Sequence, residues 1–454
     1  MDRSETLCDH PSTQNTLYLM RRDQRIKENH CIQLSYTLSK NKLYVLYDFF
    51  FIPKNKKQKK FILEGMTELI DQANEHNLFI KIQYKDNLKE FIKENEICLI
   101  VLDFCPLREY LEYDNQLIVF CDENKIKLIR CDAHNIVPCH KLTTYKRTGK
   151  SVKSDLYKLW DKFYKKYDEI KEFEFNNKEE VKKFNKETLK QFEEIKQENT
   201  EYKNKRMKNS LLPTDYHKGG YKNGMEELEN FFKNRFSIYD SSRNNPEANA
   251  LSNLSPWLHS GQISALKVVQ LAVKKFGMKN QNLQTFLNEV FVWKETADHF
   301  CYHEKNYDNL NGALPWAKQT LEQHSKDKRP KIYSLKQLEC GETEDYLWNA
   351  GQKQMVITGK MHGYVRMYWA KNCLLWSKTP GEALERAIFL NDKYSIDAND
   401  PNGYLGIMWS ICGTMDQGWG EREVVGKIRS MKKFKCPEYI SRWANKKIDE
   451  FIDE

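Results

Sequence analysis

The chain has 454 residues, more than one ordinary hydrophobic core organises, so two domains, or one large domain with a smaller partner, are expected. Its 73 Lys and Arg against 64 Asp and Glu leave +9, an excess that favours polyanions only if it is clustered on one surface. Twelve cysteines without a CxxC pair or Cys/His ligand spacing argue against a zinc framework, and no signal-peptide pattern or membrane-length apolar run is present, so a soluble, intracellular protein with free thiols and no metal is expected.

In chain order, residues 41 to 138 alternate short β-rich runs (KLYVLYDFFFI, LFIKIQY, ICLIVLDF, QLIVFC, IKLIRCDA) with polar helical stretches such as FILEGMTELIDQANEHN, a pattern that predicts a parallel α/β sheet domain ending near Pro138. KNKKQKK (54 to 60) reads as a solvated loop rather than a nucleic-acid patch. From about Lys165 to Asn209 the Lys, Glu and Asn content predicts a solvated helix or connector, and GGYKNG (219 to 224) a turn. Beyond Asn209 the pattern is helical. TPGEALERAIFL predicts a helix start, with Thr379 as cap, Pro380 in the first turn and Glu382 completing a capping box. The expected organisation is an α/β domain over 1–150, a charged connector over 151–225 and an all-α domain over 226–454.

GKMHGYVRMYWAKNCLLWSK (359 to 378) poses the functional question. Trp369, Cys373 and Trp376 share one helical face, which by spacing alone means a buried stripe. Arg366 precedes Trp369 by three residues, and a guanidinium is costly to bury without an anion, so an acidic group or anionic ligand is expected opposite it.

SNLSPWLHSGQIS (252 to 264), LWNAGQKQMVITGKMHGYVRMYWAK (347 to 371), LNDKYSIDANDPNGYLGIMWSICG (390 to 413) and REVVGKIR (422 to 429) together resemble class II cyclobutane pyrimidine dimer DNA photolyases. The resemblance extends upstream through RRDQR (21 to 25), DFCPLR (103 to 108) and DAHNIVPC (132 to 139). It implies a Rossmann-like N-terminal α/β domain, a linker, and a helical domain holding non-covalent FAD beside a pocket for a lesion flipped out of UV-damaged DNA. It also implies an enzyme that repairs the dimer only in light, acting as a monomer. An antenna pigment, a deazaflavin or a folate, is the second cofactor the resemblance raises.

Carried over by motif, Trp369 is expected nearest the flavin, Trp348 as the middle relay and Trp376 as the outer electron donor. Seven helical residues rise roughly 10 Å, too far for Trp369 and Trp376 to stack directly, so a third ring between them is needed. Arg366 is expected to pair with Asp397 beside the isoalloxazine ring, and Asn391 to face flavin N5. Tyr239 and Leu251, Ser252, Asn253, Leu254 and Ser255 correspond to positions around the flavin phosphates, although SNLSP taken alone is a helix cap. The lesion pocket implied by the resemblance comprises Glu289, Trp293, Met367, Trp409 and Arg429, with Glu289 most useful if burial keeps it protonated and Arg429 suited to phosphate.

Three departures from the family pattern are Trp257 for tyrosine, Lys294 for arginine and Ala398 for glycine. The rival readings are a cryptochrome-like light sensor without repair activity, and a flavin-free nucleic-acid module on the same scaffold. The pocket residues favour repair, and the flavin-side segment lacks the paired histidines expected of a (6-4) photolyase.

Overall fold

The computed structural model describes residues 3–49, 55–83, 88–142, 149–164, 171–204 and 217–452. Six strands form one sheet in the order β1-β6-β5-β2-β3-β4: β1 (Ser4–Cys8), β2 (Asn15–Met20), β3 (Leu43–Asp48), β4 (Phe79–Gln83), β5 (Ile97–Asp103) and β6 (Lys127–Cys131). All neighbours are parallel except the pair of β1 with β6. Helices α1 (His30–Leu38), α2 (Lys56–Glu75), α3 (Leu88–Glu94) and α4 (Arg108–Glu123) make the crossovers. β2 and β3 are buried along their whole length, as strands covered on both faces must be.

Two strand expectations are corrected. QLIVFC is the C-terminal part of α4, not a strand: Asp114, Leu117 and Cys121 are buried at spacings of three and four, a helical period that the short apolar run conceals. β1 and β2 lie before the region expected to hold the sheet. KNKKQKK is also not a loop, because α2 starts within it: the Asn55 side chain accepts the N–H groups of Lys57 and Gln58, and the lysines form the first turns. Lys54 lies outside the described residues.

The charged segment after Lys165 divides likewise. Residues 165–170 and 205–209 lie outside the described residues, and α5 (Gly149–Phe163) and α6 (Lys178–Asn204) flank the gap between 164 and 171. α6 is not a wholly solvated helix. Val181 and Phe192 are buried, and Asn185 accepts the Ile80 N–H at 2.8 Å while donating to the Leu78 carbonyl at 2.9 Å. Its side chain thus continues the hydrogen-bonding of the outer strand β4, and the helix covers an edge that would otherwise be open to another chain.

From Tyr221 onward the described chain is helical. At GGYKNG the tight turn is confined to Gly219 and Gly220, and a helix begins at Tyr221. A Cβ on Gly219 would stand 1.9 Å from the Phe61 carbonyl oxygen, so only glycine allows this close approach to α2. The helix Pro380–Tyr394 begins as expected, with Thr379 Oγ1 accepting the Glu382 N–H; the Glu382 carboxylate takes the Lys378 N–H in place of the cap residue's own.

Sheet and helices are locked by buried ion pairs built from RRDQR, DFCPLR and DAHNIVPC. Arg22 grips both oxygens of Asp298 at 2.7 and 3.0 Å, and Arg21 pairs with Asp103 and, at 2.6 Å, with Asp114. Glu295 accepts the Ile136 and Val137 N–H groups, and Lys294 donates to the His134 carbonyl and Asn135 Oδ1. Lys294 is thereby a fixed part of this clamp. No helix among the described residues is long and apolar enough to cross a membrane.

Candidate functional site

The tryptophan stripe lies on the helix Gly363–Trp376, and Trp348 comes from the neighbouring helix Tyr346–Thr358, whose start is capped by the Asp345 carboxylate. Trp348 stands between the other two, with ring centroids 5.9 Å from Trp369 and planes nearly parallel at 15°, and 5.6 Å from Trp376 at 66°. Trp348 Nε1 donates to the Trp369 carbonyl, and Trp369 Nε1 to Gln352 Oε1, so two of the rings are held in orientation as well as packed. Trp369 is 1% and Trp376 8% exposed, and Tyr333 meets Trp376 edge-on at 5.2 Å. The run of closely spaced rings therefore leads from the buried interior toward the surface.

On the same helix as Trp369, Arg366 Nη2 approaches Asp397 Oδ1 only to 3.7 Å, and both Arg366 Nε and Asp397 Oδ1 are buried without a hydrogen-bond partner. Burial pushes the Asp397 carboxyl up, but the cations Arg366 and Lys360 outweigh it and hold the group below its ordinary value. Lys360 lies deep in the fold yet keeps part of its surface open, and donates to Ser255 Oγ at 2.6 Å. Burial pushes its ammonium down to about 8, against the pull of Asp397. His217 is pushed down to about 3, chiefly by burial and then by Lys360. Two cations, an under-satisfied carboxylate and unpartnered polar atoms form a recess that suits an anionic, hydrogen-bonding ligand.

Ser255 closes the predicted phosphate segment. Leu251, Ser252 and Asn253 are half-buried and Leu254 buried, and Asn253 takes a positive φ of 60° that turns the chain into the short helix Ser255–His259. Asn391 is 2% exposed, with its Nδ2 donating to Asp392 Oδ1. Tyr239 is buried against Phe231 and Phe286, close enough to Glu289 for that charge, after burial, to raise its hydroxyl pKa.

The lesion-side residues occupy a π-helical turn, Asn288–Trp293, and its surroundings. Trp293 and Trp409 face one another at 4.7 Å and 44°. Glu289 does not have the burial expected of it: the side chain is 34% exposed and pairs with Arg243 at 3.0 Å. Met367 is exposed. The exposed Arg429 lays its guanidinium over Trp419 at 4.9 Å, and Lys371 holds the Arg429 and Ser410 carbonyls together, fastening this loop beside Trp409.

A separate cavity of about 920 Å³ opens at the carboxyl ends of β2, β3 and β5, with Arg22, Tyr110, Asn55, His259, Asp392 and Tyr404 among its lining. β2 lies between β5 and β3, where crossovers leave in opposite directions, the usual ligand position of an open α/β sheet.

The profile of the DNA photolyase family matches residues 16–181. Over 448 residues the chain is 36% identical to the deoxyribodipyrimidine photo-lyase of Arabidopsis thaliana, covering 94% of this chain and 88% of the relative. It is 35% identical to that of Potorous tridactylus, covering 93% and 79%. The chain belongs to the DNA photolyase family. Among solved structures, the family fold is shared with a class III photolyase from Agrobacterium tumefaciens (TM-score 0.63, 17% identity, 89% of this chain and 80% of that one). It is shared equally with a cryptochrome from Synechocystis (TM-score 0.68, 14% identity, 97% and 92%).

Sequence reasoning missed Lys360, Gln352, Tyr333 and Trp419. Lys360 stands inside a quoted motif, but lysines are mostly surface residues and only its neighbours reveal the recess. The family departures are accommodated: Trp257 packs on Phe61 and donates to the Lys218 carbonyl, and the Ala398 carbonyl accepts from Gln58.

Proposed function

We propose that this protein is a deoxyribodipyrimidine photolyase that binds FAD and repairs cyclobutane pyrimidine dimers in UV-damaged DNA in light. What supports this reading is the close spacing of Trp369, Trp348 and Trp376, with Arg366 of the Arg366–Asp397–Lys360 recess three residues from Trp369 on one helix, in a chain matched along most of its length by photo-lyases.

The residues present fit FAD. Lys360 and Ser255 suit the pyrophosphate, the unpartnered Nε of Arg366 suits a polar edge of the isoalloxazine ring, and Asn391 offers an amide able to donate and accept. Bound and reduced, FAD supplies the light-excited electron that opens the cyclobutane ring. Arg366 places positive charge where a reduced, anionic ring gains from it, while Asp397 offsets the burial of that charge. Trp369, Trp348 and Trp376 connect the recess to solvent, so an external reductant can restore the cofactor without entering the site. The tilted Trp293 and Trp409 pair presents apolar faces to an extruded dimer, and Glu289 offers it an acceptor. Arg429 and the exposed Trp419 meet phosphate and base at the rim. The cavity at the sheet's carboxyl edge is the proposed place for an antenna pigment, a deazaflavin or a folate.

The decisive experiment is repair of a defined thymine-dimer oligonucleotide in light and in darkness. Repair in light only, by yellow protein that releases FAD on denaturation, is expected. Equal repair in the dark, or by protein free of flavin, would overturn the reading; flavin photoreduction without any repair would favour the light-sensor reading.

A further inference from the structure

Asp392 follows Asn391 on the helix Pro380–Tyr394 and has no role in the reading above. Its carboxylate Oδ1 accepts Asn391 Nδ2 at 2.9 Å and the Asn399 N–H at 3.2 Å, and Oδ2 accepts the Tyr404 hydroxyl at 3.3 Å. Asp392 and Tyr404 both line the 920 Å³ cavity. Asp392 therefore joins that cavity to the amide assigned to the flavin.

A carboxylate only accepts hydrogen bonds, so while Asp392 is ionised it turns the NH₂ end of Asn391 toward itself and leaves Oδ1, which accepts from Ser395 Oγ at 3.3 Å, on the other side. A protonated carboxyl also donates, and the opposite amide orientation is then equally well satisfied. Space for this rotation comes from Gly403, where a Cβ would stand 3.1 Å from Asn391 Nδ2. The groups facing Asp392 are His259 from the short helix Ser255–His259, Asn399 from the loop after its own helix, Tyr404 in the first turn of the helix Pro401–Cys412, Lys393 beside it on its own helix, and Asn55 from the start of α2, which donates to the Asp392 carbonyl. His259 Nδ1 and Asp400 Oδ2 lie within hydrogen-bonding distance of each other at 2.7 Å.

We propose that Asp392 is a positioning residue for the light reaction: through its hydrogen bond it decides whether Asn391 presents its oxygen or its N–H to the cofactor, and its own proton exchanges with the cavity past Tyr404. This rests on the FAD reading given above. Burial raises the Asp392 carboxyl above its ordinary value, against the lowering by Asn391, Asn399, Tyr404 and His259.

The test compares flavin-loaded wild type, Asp392→Asn and Tyr404→Phe. FAD per chain and melting temperature are measured first, then the pH profile of dimer repair with flavin reduced chemically beforehand, and infrared difference spectra of protein carrying ¹³C-labelled aspartate. Asp392→Asn is expected to retain FAD, to lose about two- to tenfold in repair, the worth of one hydrogen bond, and to lose both a pH inflection on the high side of the ordinary aspartate value and a labelled carboxyl signal. Tyr404→Phe is expected to keep the inflection but move it to higher pH, because the lost hydroxyl stabilised the carboxylate. A profile of Asp392→Asn superimposable on that of wild type overturns the inference alone, whereas wild type unable to hold FAD overturns the function reading and this inference together. If Asp392→Asn does not fold, Tyr404→Phe decides, and an unshifted inflection overturns the proposal.

Discussion

Lys360→Met is expected to stabilise the flavin-free protein and weaken its hold on FAD, two effects of opposite sign from one substitution. Burial lowers the Lys360 ammonium from 10.5 to about 8. Keeping it charged below pH 8 thus costs no more than about 3 kcal/mol of folding free energy, part of which the hydrogen bond to Ser255 recovers. Between pH 8 and 10.5 the unfolded chain binds the extra proton, so this cost fades as pH rises and stability increases across that window. Methionine has a similar reach and no charge, so at neutral pH the flavin-free variant gains roughly 1–3 kcal/mol by urea unfolding. FAD loses one charge-assisted hydrogen bond, worth about 1.5–3 kcal/mol, so its Kd rises about 10- to 100-fold. Titrating flavin-free protein with FAD by fluorescence quenching measures this. Wild-type affinity should fall about tenfold per pH unit above pH 8, where the free protein loses the ammonium, while the variant stays flat. Unchanged FAD affinity with an unchanged pH profile, or a variant less stable than wild type without FAD, would refute the assignment of Lys360 to the anionic part of the cofactor.

Trp348→Phe should remove the middle ring of the relay, so photoreduction of oxidised FAD slows greatly in transient absorption while chemically reduced protein still repairs dimers; the lost indole hydrogen bond to the Trp369 carbonyl costs about 1–3 kcal/mol. Trp376→Phe should slow photoreduction in the same way with less effect on stability, because Trp376 is nearer the surface. Arg429→Ala should leave FAD content intact, weaken binding of lesion DNA and reduce its log-log salt slope by about 1 in a fluorescence titration. Arg22→Met removes the partner of a fully buried carboxylate, Asp298, and should cost about 3–5 kcal/mol in urea unfolding without altering the spectrum of any FAD retained.

What the sequence determined by itself is local or motif-borne. Alternating runs and caps are set by neighbours a few residues away, so the α/β half, the helical half and the helix start at Thr379 were legible, and helical rise showed that Trp369 and Trp376 are too far apart to stack, so that the relay implied by the resemblance needs a third ring. The family motifs supplied its identity as Trp348. Tertiary structure decided the rest, because the deciding contacts join residues far apart in the chain. QLIVFC has the composition of a strand, yet packing selects its helical period. Asn185 lies in a segment whose charge suggests a solvated helix, but its amide meets Ile80 and Leu78 and covers the sheet edge. Glu289 carries the right functional group for the lesion pocket, and only the position of Arg243 shows that it is an ion-paired, partly exposed carboxylate. Lys360 and Ser255 are 105 residues apart, and whether a lysine is a solvated surface charge or the cation of a binding recess depends on which groups the fold brings around it, since the penalty of burying charge is set by surroundings and not by residue type.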